Sequence, residues 1–343
     1  MTEFQFNDPS LESQWRALIL FGKNSATYKF AFAKSLLELI EKERTVVSLE
    51  ELAIPFSRNI TEHLKDNDKQ GSAGSSKFLN FCRQYNKGEI GERELLTQTE
   101  RLGFVNVVDA FQNVNGGQIP NLFYEKDYSR EDKRIVITDN LLELKDSFHF
   151  KNFTHEAEAR WKLVETAWNL KINPKLLEVQ YDDSASILFL ENKFMQREDI
   201  TSVRDALNGY QKGKCFYSFY DISITTGSSN VCHVDHFLPH INKQFHANNG
   251  ANINGVWNLV LAHSEINGLS EKGTKIPDRK YLYRLFNRNE FYITSKHPLA
   301  ETIINQTGKT KAHRKAFLEH HYNIALENSI VTWSPSAELN GTF

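Results

Sequence analysis

Residues 231–240 read VCHVDHFLPH, and residues 254–277 read NGVWNLVLAHSEINGLSEKGTKIP. Val231–Val234 is a short β-like run that ends at the pair Asp235-His236, and Pro239 stops it. From His240 to Gly255 the chain is crowded with Asn242, Asn248, Asn249, Asn252 and Asn254 among glycines, a composition that predicts an irregular loop. Val256–Ala262 is again β-like, with Trp257, Leu259 and Leu261 alternating against Asn258 and Val260. Ser264 is placed to cap a short helix that contains Asn267. The expected order is strand, loop, strand, helix.

A hairpin packed on a helix can gather Asp235, His236, Asn258 and Asn267, and phosphodiester hydrolysis requires such a set. A hard divalent cation, Mg²⁺ or Mn²⁺, held by oxygens of Asp235 and Asn267 would bind the scissile phosphate and stabilise charge on the leaving oxygen. A neutral His236 would take the proton of the attacking water, since imidazole titrates near working pH. Asn258, on the neighbouring strand, would hold the imidazole through a hydrogen bond or a backbone contact.

With those residues in place, the chain resembles the HNH (ββα-metal) endonucleases. The matching positions are Asp235-His236 on the first strand, Asn258 on the second and Asn267 on the helix. The nine-residue separation of Asn258 and Asn267 is similar to that in the HNH domain of RNA-guided CRISPR nucleases. A wider likeness, to stand-alone bacterial HNH proteins found beside helicase or defence genes, takes in the segment Ala206–Tyr217, Arg288–Glu290, Ser295–Leu299 and Gln306–Gly308. It covers roughly residues 200–320. The resemblance implies that Asp235 and Asn267 are metal ligands, His236 the general base and Asn258 its positioning residue. It further implies DNA as substrate, and a helicase, ATPase or other defence protein as partner.

Many proteins of that kind carry two Cys-x-x-Cys pairs that bind a structural zinc. The equivalent positions here are Cys215, Ser218, His263 and Ile266. Ser218 is a poor ligand and Ile266 is none, so a structural zinc is not expected, and packing of Phe216, Tyr217 and Trp257 is expected in its place.

Outward from this core, the 343 residues carry 41 Lys+Arg against 43 Asp+Glu. That balance excludes a polycationic nucleic-acid coat but conceals a polar chain. Between Leu269 and His320 eleven basic residues face five acidic ones, a net of +6 that leaves −8 for the remainder. Lys272, Lys275, Arg279, Lys280, Arg284 and Arg288 are the candidate phosphate contacts, set against the blander reading of a solvated helix face. His233, His240 and His263 are auxiliary candidates for phosphate or metal, set against structural or solvent-facing roles.

The first two hundred residues read mostly helical. Ser10 starts one helix. Ser25 opens another, in which Tyr28, Phe32, Leu36 and Ile40 recur at helical spacing. Ser48 with Glu51 makes a capping-box pattern. Short strands are expected at Leu122–Tyr124, Arg134–Thr138 and Ser186–Leu190, and helices at His155–Leu170 and Asp199–Tyr210. The stretch at residues 65–77 is Gly/Ser-rich and reads as a mobile loop. Gly22–Lys29 resembles a phosphate loop only superficially, since no strand precedes it and a second glycine is missing. Three cysteines, none in a Cys-x-x-Cys pair, point to a reducing compartment. No apolar run reaches the ~20 residues that a spanning helix needs, and a cytoplasmic protein without a membrane partner is expected.

The expectation is therefore an α+β chain: a largely helical region over 1–200 for sensing, partner or target binding, then an HNH nuclease domain over 201–343 with a basic helical extension. Its expected role is an effector of anti-phage defence or restriction. A non-catalytic nucleic-acid- or protein-binding module on the same fold is the competing class, and an RNA-directed nuclease would use the same site.

Overall fold

The computed structural model describes residues 8–21, 26–71, 76–114, 117–129, 132–169, 179–191, 197–225, 227–266, 271–295, 297–329 and 331–343. It is a mixed helix-and-sheet, α+β chain that divides into two units, Met1–Asn169 and Leu170–Phe343.

In the first unit, α1 (Leu11–Leu20) starts where Ser10 accepts the amide of Ser13. The following helix, α2 (Tyr28–Glu41), begins after Thr27, whose side chain makes no capping bond. The expected cap Ser25 and the phosphate-loop glycine Gly22 lie outside the described residues, as do 72–75 of the Gly/Ser-rich stretch. Strand β1 (Val46–Ser48) leads into α3 (Leu49–Asp66) through the full capping box, in which Ser48 and Glu51 each satisfy the other's amide. Helices α4 (Lys77–Asn86), α5 (Glu92–Leu102) and α6 (Val107–Ala110) follow. They precede a minimal hairpin, β2 (Asn113–Val114) with β3 (Gly117–Gln118).

Strands β4 (Tyr124–Asp127) and β5 (Arg134–Ile137) pair antiparallel, and β5 also pairs with β1, so the sheet order is β1-β5-β4. Helices α7 (Asp139–Lys145) and α8 (Phe150–Asn169) complete the unit. Trp15, Phe30, Phe32, Phe56, Phe123 and Trp161 form its buried interior. One buried polar knot interrupts that interior. Glu165 accepts from His63 Nδ1 at 2.8 Å and from Asn67 at 3.2 Å, and the His63 ring stacks on Trp161 at 3.5 Å.

The second unit opens with the antiparallel sheet β6 (Gln180–Asp182), β7 (Ile187–Glu191) and β8 (Arg197–Ser202). Helix α9 (Val203–Gln211) therefore starts later than expected, because residues 199–202 are spent on β8. These strands, assigned on sequence to the N-terminal region, pack within the second unit; Val179, for instance, donates its amide to Thr302 Oγ1 at 2.7 Å.

Next come β9 (Cys232–His236), a 3₁₀ turn at His240–Asn242 and α10 (Lys243–Asn248). The Asn-rich stretch is thus partly helical, because Asn249 and Gly250 close the turn after Gln244, Phe245 and His246 rather than breaking it. A second 3₁₀ turn, Val256–Asn258, enters β10 (Leu259–His263). Then follow β11 (Ile276–Pro277), α11 (Arg279–Thr294), α12 (Ala300–Thr307), α13 (Lys311–Asn328) and β12 (Thr332–Trp333), the last parallel to β11. As expected from their spacing, Tyr281, Leu282, Leu285 and Phe286 form the buried face of α11. Among the described residues no helix is long and apolar enough to cross a membrane.

Candidate active site at the β9–β10 hairpin

Strand β9 pairs antiparallel with β10 in the register His236↔Leu259, Asp235↔Val260 and Val234↔Leu261. Because successive side chains on a strand point to opposite faces, Asp235 turns inward while His236 stays on the partly open side. Asp235 is 5% exposed, and the side chain of His236 is 11% exposed.

Asn258 does not lie on the second strand but in the 3₁₀ turn before it, and it is fully buried. Its Oδ1 accepts the amide of Leu238 at 2.8 Å, and its Nδ2 donates to Leu238 O at 3.1 Å and Ile253 O at 2.9 Å. Its backbone carbonyl accepts the amide of Phe237 at 2.8 Å. Asn258 therefore fixes His236 through the two residues that follow it and touches the backbone rather than the imidazole.

The imidazole's own partner is Asn254, whose Oδ1 is 3.0 Å from Nε2. With that oxygen facing the ring, Nε2 carries the proton and Nδ1 keeps its lone pair. Among the described residues the nearest carboxylate to Nδ1, Asp183 on the turn between β6 and β7, stands 3.9 Å away, beyond hydrogen-bond reach. Tyr181 and His240 place their rings 6.0 and 5.3 Å from the imidazole. Burial holds the His236 pKa below its ordinary value, with Asp183 and Asp235 acting in the opposite sense. The ring is accordingly neutral at pH 7, the state a general base requires.

Asp235 is engaged on both oxygens. Oδ2 accepts the hydroxyl of Tyr217 at 2.6 Å, and Oδ1 accepts the ammonium of Lys272 at 3.0 Å. Lys272 is fully buried and also donates to His236 O at 2.8 Å. The Tyr217 hydroxyl is pushed far above its usual range by burial and by the Asp235 charge beside it, so it donates. A divalent cation binds carboxylate oxygens at about 2.0–2.6 Å. The arrangement around Asp235, with a cation already seated on Oδ1, does not fit such an ion as it stands. Asn267, the other expected ligand, lies outside the described residues, as do 268–270; the flanking 264–266 and 271–274 are turns, so the expected helix start at Ser264 is a turn instead. Among the described residues no cluster of three or more His, Cys, Asp or Glu side chains could hold a metal ion.

The Cys215–Ser218 turn supplies the floor of the site. Cys215 Sγ accepts the amide of His263 at 3.3 Å, and Phe216 donates its amide to Leu261 O at 2.9 Å. The donor set Cys215, Ser218, His263 and Ile266 offers at most two zinc ligands. Phe216 and Tyr217 pack with Phe237, Tyr281, Trp333 and Phe343. Trp257 does not join them: it packs on Phe317 and His321, because its indole N–H is held by Asn252 O at 3.0 Å.

The basic stretch divides by burial. Arg288, 1% exposed, donates to Leu259 O, Val256 O and Trp257 O at 2.6–3.2 Å and staples α11 to the start of β10. Arg284 is turned to Phe216 O and Glu338 at 2.6 Å each and lies over the Phe219 ring. Lys272 is internal as described. These three leave the set of candidate phosphate contacts, since each is turned to acceptors within the unit. Arg279 and Lys280 are exposed, with Lys280 reaching Glu338 at 2.6 Å, and Lys275 is half-buried. His233 and His240 are exposed, and the half-buried His263 accepts the Glu265 amide on Nδ1 at 3.4 Å.

Sequence reasoning missed Asn254, Tyr217, Lys272's inward course and Asp183. The available signals were the place of Asn254 at the head of the 254–277 stretch and that of Tyr217 at the end of the Ala206–Tyr217 segment; nothing local marks Asp183. Comparison with protein-family models, with curated proteins and with solved structures finds no match to this chain.

Proposed function

We propose that the second unit is a nucleic-acid phosphodiesterase of HNH type, acting on DNA, with His236 as the general base. The observation that carries this reading is the placement of His236. Its imidazole stands at the end of a paired strand, with Nε2 3.0 Å from Asn254 Oδ1 and the chain behind it fixed by the Asn258 clamp. Water held at Nδ1 would lose its proton to that nitrogen as its oxygen attacks phosphorus, while the P–O bond to the leaving sugar oxygen breaks and that oxygen takes up a proton from solvent. Asp235 and Asn267 are the residues this reading would assign to Mg²⁺ or Mn²⁺, although Tyr217 and Lys272 hold both Asp235 oxygens in the structure. Exposed Arg279 and Lys280 on α11, with the half-buried Lys275 beside it, are the remaining candidates for backbone phosphate.

The role as a defence or restriction effector, with a helicase or ATPase partner and cytoplasmic placement, belongs to the same proposal and rests on the resemblance of residues 200–320. The Lys272–Asp235 pair favours a second reading, a binding module that keeps the fold without chemistry. A supercoiled-plasmid nicking assay with Mg²⁺ or Mn²⁺ separates the two. Wild type should nick, and His236→Ala should lose at least ~100-fold, the usual share of a general base. Cleavage by the alanine variant at the wild-type rate would dismiss His236 from the role. Labelled RNA in parallel decides the substrate class.

A further inference from the structure

We infer that Ile241 and Phe245 are an apolar wedge that enters the base stack of duplex DNA beside His236. The inference rests on the nuclease reading of this unit and adds how the duplex is gripped. Ile241 is 68% exposed and Phe245 47% exposed. They stand four residues apart along the continuous helical chain of the His240–Asn242 turn and α10, so they share one side of it. A neighbouring side is the anchor, where Asn242 and His246, also four apart, are buried. Asn242 Nδ2 donates to Ser329 Oγ at 3.2 Å, and His246 Nδ1 lies 3.1 Å from Nδ1 of His321 on α13.

A helix this short has little stability of its own, so its roll is set by that anchor. Ile241 and Phe245 are therefore held out in water. One exposed apolar side chain is ordinary, whereas two on a fixed turn beside a candidate site mark a contact surface. The site is close: Ile241 follows His240, whose ring is 5.3 Å from that of His236. The surroundings select the partner. From Phe237 to Ser264 the chain holds no Asp or Glu, so nothing in this stretch repels phosphate. Lys243, Gln244, Asn248, Asn249 and Asn252 are exposed on it. Side-chain amides donate to the acceptors on minor-groove base edges, and a lysine to the phosphates. Proteins that bind in that groove insert Phe or Ile between base steps, unstacking a step and kinking the duplex. Ile241 and Phe245 are the residue types, and carry the flanking groups, that such an insertion uses.

The test reads binding without divalent metal, so that cleavage plays no part. Full-length wild type and Ile241→Ala/Phe245→Ala are titrated, in EDTA, into a short duplex carrying 2-aminopurine, a base that brightens when unstacked. Both side chains are exposed, so the double variant should melt as wild type does. Wild type should brighten the probe. The double variant should lose the brightening and bind about tenfold or more weakly, since two apolar side chains no longer leave water. Its salt slope should match wild type, because no phosphate contact is lost. Phe245→Trp should keep the brightening. A duplex that stays dim with wild type, or equal brightening and affinity in wild type and double variant, overturns the inference. Unchanged DNA binding with loss of self-association in sedimentation also overturns it and gives the patch to a second copy of the chain. Wild type that brightens the duplex but leaves plasmid intact with Mg²⁺ upholds the wedge and overturns the nuclease reading. A double variant that binds and nicks as wild type does the reverse.

Discussion

Asn258→Ala removes three side-chain hydrogen bonds at once: from the Leu238 amide, and to the carbonyls of Leu238 and Ile253, at 2.8–3.1 Å. Asn258 is fully enclosed, so water cannot replace it without opening the turn. A buried polar group left without a partner costs about 1–3 kcal/mol, and three such groups with partial relaxation sum to about 3–5 kcal/mol. That is a large part of a typical domain's margin. The cost should appear first as local opening. Hydrogen exchange of a peptide covering Phe237 and Leu238 should quicken by ~100-fold or more, since each tenfold corresponds to about 1.4 kcal/mol. Asn258→Asp is the sharper variant: it is nearly isosteric and keeps the acceptor for Leu238, but it loses both donations and buries a charge, so it should be at least as damaging. Plasmid nicking should fall with either change, because the chain immediately after His236 is no longer held. Exchange at Leu238 that stays within about fivefold of wild type would show that the clamp is not what fixes this segment, and the positioning role would fall with it.

Three further outcomes follow from the same geometry. Arg288→Ala takes the guanidinium from the carbonyls of Val256, Trp257 and Leu259, the first two of which keep the Leu259 amide and Asn289 Nδ2 as donors, and should cost about 2–4 kcal/mol in thermal or urea unfolding; an unchanged melt with weakened DNA binding would return Arg288 to the candidate phosphate contacts. His246 and His321 are buried with Nδ1 atoms 3.1 Å apart, and burial first, then the neighbouring histidines, lowers both pKa values, His321 to about 4. The unfolded chain takes up protons that the folded chain refuses, so stability is complete above pH ~6.5 and is lost towards pH ~4 at up to about 1.4 kcal/mol per unit per group; His321→Leu should flatten that limb of an acid-unfolding curve. Finally, Arg279→Ala and Lys280→Ala lie on an exposed face and should leave unfolding within about 0.5 kcal/mol of wild type while reducing the salt slope of DNA binding by about 0.9 per lost phosphate contact; an unchanged slope would class them as a solvated face.

Local rules carried much of the architecture. Ser10 and the Ser48–Glu51 box start the helices they should, and the apolar face of α11 is buried as its spacing indicates. Such features are decided within one or two turns of chain, so they are legible in a row of residues. The site is less so. Asp235, His236 and Asn258 are adjacent because β9 pairs with β10, yet the groups that set their chemistry are distant: Tyr217 from a preceding turn, Asp183 from the β6–β7 connection, Lys272 from beyond the hairpin. Basic residues misled most. A lysine or arginine stem is long enough to face solvent or to thread inward, and composition does not say which. Lys272, Arg284 and Arg288 turned inward because unpaired carbonyls or carboxylates awaited them.

The segment after β12 has a temporal meaning. Trp333 meets Tyr217 at 5.2 Å, Glu338 draws in Lys280, Tyr281 and Arg284, Leu339 donates its amide to Ser218 O, and Phe343 stacks on Phe216. During synthesis the Cys215–Phe219 turn is made more than a hundred residues before its cover. Until residues 333–343 are translated, the aromatic floor that seats Tyr217, and through it Asp235, lacks these contacts. Pairing of the hairpin and completion of the aromatic floor beneath it are thus separate events in synthesis.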